Sequence, residues 1–93
     1  MRIQEFQRLI ETIYLEKDAA RGVDGTFRWF VEEVGELSRA VRDDDPASLQ
    51  DEFADCLAWL STLASLKGID LGEAARRKYS AGCPRCGTSP CAC

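Results

Sequence analysis

Two short acidic patterns hold the side chains best suited to chemistry in this 93-residue chain. They are Glu32-Glu33-Val34-Gly35-Glu36 and, beyond Asp43-Asp44-Asp45-Pro46, Glu52-Phe53-Ala54-Asp55. Residues three apart on a helix share a face, so Glu33 with Glu36 and Glu52 with Asp55 each make a two-pronged oxygen site. If the chain reverses about Asp44, antiparallel pairing sets Glu33 opposite Asp55 and Glu36 opposite Glu52, and four carboxylates converge across one helical hairpin. Like charges held that close raise one another's pKa unless a cation sits among them. A hard divalent cation, Mg²⁺ or alternatively Mn²⁺, suits such oxygen donors and keeps positions open for water and phosphate oxygens. Acidic residues opposite an apolar stripe are otherwise a solvated helix face; the matched pair of motifs around one turn favours the metal.

The elements that must position these groups are helical throughout. Ile3, Phe6, Leu9, Ile10 and Ile13 recur at helical spacing and predict a helix over about residues 2 to 20, ended near Gly22. A second helix is expected over about residues 25 to 42, capped by Asp24 or Thr26, with Phe27, Phe30, Val31, Val34, Leu37 and Val41 as its buried stripe. Pro46 suits the first turn of a third, over about residues 46 to 67, burying Phe53, Cys56, Leu57, Leu60, Leu63 and Ala64. Gly68 stops it, and Asp70 caps a short fourth helix reaching about Tyr79. The expected fold is therefore all-α, an antiparallel helical hairpin with flanking helices. Ninety-three residues lie near the size at which a core is marginal and oligomerisation helps.

The two acidic motifs, with Trp29-Phe30-Val31 before the first and Cys56-Leu57-Ala58-Trp59-Leu60 after the second, resemble the MazG-like nucleotide pyrophosphohydrolases, the all-α nucleoside triphosphate pyrophosphatases. The resemblance covers most of residues 1 to 79. It implies a MazG-like fold completed as a bundle by formation of a homo-dimer or homo-tetramer. It also implies Mg²⁺-dependent hydrolysis of nucleoside triphosphates to monophosphate and pyrophosphate, with Glu33, Glu36, Glu52 and Asp55 as the metal ligands. Glu32, the extra acid of the first motif, is expected to orient water, bind a second metal or support a ligand from behind. The chain has no histidine, so general-base work falls to a carboxylate such as Glu36 or Glu33, or to the metal. The same absence tells against a di-iron carboxylate bundle, whose usual ligands include Glu-x-x-His.

Trp29 lies one turn before Glu33 and Trp59 one turn after Asp55, so both fall on the carboxylate side of the hairpin. There they are candidates for stacking on a nucleobase, with packing between copies of the chain as the competing role. Arg76-Arg77-Lys78 supplies cations on the last helix, Lys78 being the first candidate for a polyphosphate contact, with Arg39 and Lys17 behind it. Basic residues are also expected in a last helical turn from the helix dipole alone.

The last stretch is chemically unlike the rest. Cys83-Pro84-Arg85-Cys86-Gly87 is a knuckle, and Cys91-Ala92-Cys93 adds two thiols, a set suited to Zn²⁺. Residues 1–79 thus read as a pyrophosphohydrolase domain and residues 80–93 as a cysteine-rich tail. The competing reading is a non-enzymatic zinc-binding helical protein that contacts a partner through the tail. A net charge of −4 argues against a nucleic-acid binder. The polar start Met1-Arg2-Ile3-Gln4-Glu5 and the lack of any long apolar run give no sign of membrane association, and the expected location is the cytoplasm.

Overall fold

The computed structural model describes residues 1–93 and is all-helical, without strands: α1 (Ile3–Asp43), α2 (Pro46–Leu66) and α3 (Leu71–Tyr79), followed by a cysteine-bearing tail. α2 begins on Pro46 in the first turn, where a missing N–H costs nothing. The chain enters it through Asp44, whose left-handed φ of 54° is tolerated by a short polar side chain. α2 is closed by Gly68 at φ 70°, with the Ile69 N–H returning to the Ala64 carbonyl at 2.8 Å. α3 is capped as expected, the Asp70 carboxylate accepting from the Glu73 N–H at 2.9 Å.

The first two expected helices are both present, as two arms of α1 that meet at Gly22. Gly22 ends the first, its φ of 79° and ψ of 177° being non-helical, and the second starts at the next residue. A straight 41-residue helix would be about 61 Å long, yet the largest dimension of the molecule is 42 Å. The kink therefore folds α1 into two arms, residues 3–21 and 23–43. Thr26 lies inside the second arm, which starts at Val23, rather than ahead of it as a cap. It is fully buried instead, its hydroxyl accepting from Arg21 Nη1 at 3.3 Å across the kink.

The second arm runs antiparallel beside α2, and the first arm crosses α2 near its C-terminal end. Three polar side chains of that arm, Gln7, Glu11 and Asp18, bond to Thr62 and Ser65 of α2. Gln7 Nε2 donates to Ser65 Oγ at 3.0 Å, Ser65 Oγ donates to Glu11 Oε1 at 2.6 Å, and Thr62 Oγ1 donates to Asp18 Oδ2 at 3.1 Å. Gln7 also holds the start of α3, giving Nε2–H to the Ile69 carbonyl at 2.7 Å and accepting from the Leu71 N–H at 2.9 Å.

The apolar core within one chain is Ile10, Ala40 and Ala64. Most of the two stripes expected to be buried is not: Phe27, Val31, Val34, Val41, Phe53, Leu57 and Leu60 are exposed, Phe27 and Phe53 by 55% and 58%. Periodicity identifies the faces that need covering. The helices of one chain leave those faces without a neighbour. No helix is long and apolar enough to cross a membrane.

Candidate functional site

The turn at Asp44 brings the acidic motifs together as the register requires. Carboxylate oxygens of Glu33, Glu36 and Glu52 lie within 4.8 Å of one another, Glu33 and Glu52 half-buried and Glu36 exposed. Glu33 Oε2 and Glu52 Oε2 are both buried without a hydrogen-bond partner. Buried oxygens left unpaired are costly, and a cation is the partner their chemistry lacks. The donor set, all carboxylate oxygen, thus fits a hard divalent ion.

Burial first, and then the charges of Glu36, Asp55 and Glu52, push the Glu33 carboxyl up to about 7. Glu52 is raised from the ordinary carboxylate range for the same reasons, burial leading and Glu36 and Asp55 following. Asp55 is exposed and stands outside the three-oxygen cluster, close enough for its charge to act on Glu33. Glu32 points to solvent and joins no cluster. Cys56, expected as a buried core thiol, is only half-buried. Partial burial and the four neighbouring carboxylates raise its thiol pKa, keeping it neutral beside the acids.

The raised Glu33 has a definite consequence for stability. Between its ordinary value of 4.5 and about 7 the folded chain holds a proton that the unfolded chain releases, so stability falls as pH rises across that window. The cation-free protein is expected to melt a few degrees higher at pH 5.5 than at pH 8. Glu33→Gln should flatten that slope, and Mg²⁺ should invert it by drawing off the proton. A melting temperature that climbs with pH in the absence of divalent ions would contradict this account.

Trp29 and Trp59 stack on each other across the hairpin, ring centres 6.0 Å apart and planes 14° from parallel. The Arg21 guanidinium lies 4.7 Å from the Trp59 ring centre. Beside them is a cavity of about 310 Å³ lined by Tyr14, Lys17, Asp18, Arg21, Asp55 and Trp59 among others. Asp55 thus stands between the acidic cluster and this cavity. On the other side, a second depression of about 270 Å³ brings Arg39 to Glu36 and Glu52. Lys78 lines neither; it is exposed on α3 with its ammonium 5.7 Å from the Tyr79 ring centre.

Arg21 and Asp18 carry no sequence signal of their own. Asp18 is 6% exposed, pairs with Arg21 at 3.1 Å and accepts from Thr62. Its role becomes visible only once the kink folds the first arm over α2. Cys83, Cys86, Cys91 and Cys93 do gather, all four sulfurs within 4.8 Å.

Comparison with known proteins agrees with this geometry. The family model for the MazG nucleotide pyrophosphohydrolase domain matches residues 21–86, from the kink of α1 through both acidic motifs and α3 to Cys86. No curated protein matches the chain.

Proposed function

We propose, from the premise that this chain belongs to the MazG nucleotide pyrophosphohydrolase family, that it cleaves nucleoside triphosphates to the monophosphate and pyrophosphate in a Mg²⁺- or Mn²⁺-dependent reaction, as a cytoplasmic housekeeper of the nucleotide pool. The observation that carries this reading is the pair of unpartnered buried oxygens on Glu33 and Glu52 inside a three-carboxylate cluster. Glu33, Glu36 and Glu52, with Asp55 beside them, would hold the cation. Bound there, a hard divalent ion supplies positive charge that neutralises both the carboxylates and the substrate's phosphates.

The chain's own groups account for the remaining steps. Glu33 or Glu36 accepts the proton of the water that attacks the α-phosphorus. Lys17 and Arg21 in the larger cavity, or Arg39 in the smaller depression, meet phosphate charge on either flank of the cluster. Arg21 is held for that purpose by Asp18 and Thr26, which limits its loss of freedom on binding. The Trp29–Trp59 stack forms the apolar wall against which a base can lie. Lys78 reaches the substrate only if another copy of the chain brings it there.

The exposed stripes of α1 and α2 support assembly as a homo-dimer or homo-tetramer, which supplies the cover one chain lacks. Light scattering should give at least twice the chain mass, and a folded monomer at micromolar concentration would refute this part. Incubation with Mg²⁺ and a panel of nucleotides, reading pyrophosphate against orthophosphate, tests the activity. Release of orthophosphate alone would refute the reaction, and release of neither product would refute it and favour the non-enzymatic zinc-binding reading.

A further inference from the structure

We propose that Cys83, Cys86, Cys91 and Cys93 form a closed tetrathiolate zinc site that holds residues 80–93 in their compact shape, independently of the acidic site. The sulfur spacing supports it first. Cys83 and Cys91 are 3.6 Å apart, Cys83 and Cys93 3.8 Å, and Cys86 and Cys91 3.9 Å. A tetrahedron with Zn–S bonds of about 2.3 Å has sulfur–sulfur edges of about 3.8 Å. A disulfide would bring one pair to about 2.05 Å, and all five cysteines are free.

The backbone is built around those sulfurs. The Ala92 N–H points to Cys86 Sγ at 3.3 Å and the Cys93 N–H to Cys91 Sγ at 3.4 Å, with Thr88 Oγ1 3.1 Å from Cys86 Sγ. Donors aimed at sulfur stabilise thiolate charge at a metal and fix ligand orientation. The knuckle is closed by the Gly87 N–H on the Cys83 carbonyl at 2.7 Å and the Cys83 N–H on the Thr88 carbonyl at 3.0 Å. Gly82 permits that return, because a Cβ there would lie 2.9 Å from the Thr88 oxygen.

Little else would keep the tail folded. The hydrogen bonds made by residues 83–93 close within the tail itself. Every residue there is exposed or half-buried, so no apolar core substitutes for a metal. Four protein ligands leave no open position for water, which makes the site structural rather than catalytic. Thiolates select a soft ion, whereas the Glu33–Glu36–Glu52 cluster selects a hard one, so the two sites do not compete.

The test uses the full chain, purified under reducing conditions from zinc-replete medium. Elemental analysis should find about one zinc per chain. Co²⁺ exchanged into the protein should give the absorption of a tetrahedral thiolate site. The double variant Cys86→Ser/Cys91→Ser should lose the metal while retaining its helical circular dichroism. In an NMR spectrum, stripping zinc with a chelator should collapse the amide dispersion of residues 83–93 and leave the helices unchanged. Zinc-free protein with all five thiols freely titrating would overturn the proposal, as would iron in place of zinc or tail amides indifferent to the chelator. None of these readings depends on the pyrophosphate assay.

Discussion

Replacing Glu33, Glu36 or Glu52 by glutamine is expected to lower Mg²⁺-dependent pyrophosphate release by more than about a hundredfold, since changes merely behind a metal's ligands already cost about 10–100-fold. The same substitutions should leave the cation-free fold intact or make it slightly more stable. Each removes a carboxylate from a cluster whose members repel one another, and Glu33→Gln also removes the cluster carboxyl whose pKa is pushed up to about 7. Loss of activity with gain of stability is what a site strained for function predicts, and an ordinary packing defect predicts the opposite. Glu32→Gln, altering an exposed side chain outside the cluster, should have the smallest effect of the acidic changes. Asp55→Asn should weaken both cation binding and nucleotide affinity, because Asp55 borders the cluster and the larger cavity together. Mg²⁺ titration by calorimetry beside the pyrophosphate assay separates these outcomes. Undiminished turnover in Glu52→Gln would overturn the proposed centre.

The second large effect is expected from Gly22. At φ 79°, ψ 177° it occupies a region essentially reserved for glycine, so a side chain there costs about 1–3 kcal/mol of backbone strain. No atom lies within 4 Å of a Cβ built at Gly22, which makes the penalty conformational rather than a clash. Gly22→Val should lower the melting temperature by about 4–8 °C per kcal/mol lost. It should also raise KM for nucleotide more than it lowers kcat, because a straightened kink carries Lys17 and Arg21 away from Trp59 and Asp55. Gly35→Ala is the control. Gly35 lies in the helical second arm, also with open space at its Cβ, so alanine there should be neutral or stabilising by up to about 1 kcal/mol. Equal melting temperatures for Gly22→Val and the unmodified chain would show that the bend is not required.

Much of this protein follows from its sequence taken alone. The helical periods, Pro46 at a helix start, Gly68 at an end and Asp70 as a cap are local signals, and each appears where the residue types demand it. The reversal at Asp44 is local too. Once that turn is fixed, helical geometry sets Trp29 against Trp59 and Glu36 beside Glu52, because residues paired across an antiparallel hairpin are determined by counting from the turn. The gathering of the four cysteines follows likewise from their short spacing.

Tertiary structure decided the rest. Gly22 reads as a helix stop from sequence and is one, but a stop does not say in which direction the two arms diverge. The first arm is held over α2 by contacts many residues away, Asp18 with Thr62 and Gln7 and Glu11 with Ser65. That packing placed Arg21 over Trp59 and Lys17 beside Asp55, while leaving Lys78 outside both depressions. Asp55, which the register sets opposite Glu33, stands outside the three clustered carboxylates. Periodicity, finally, marks which faces are apolar but not what covers them. Phe27 and Phe53 belong to faces that must be buried and are open in a single chain, because covering a surface is a property of everything packed against it.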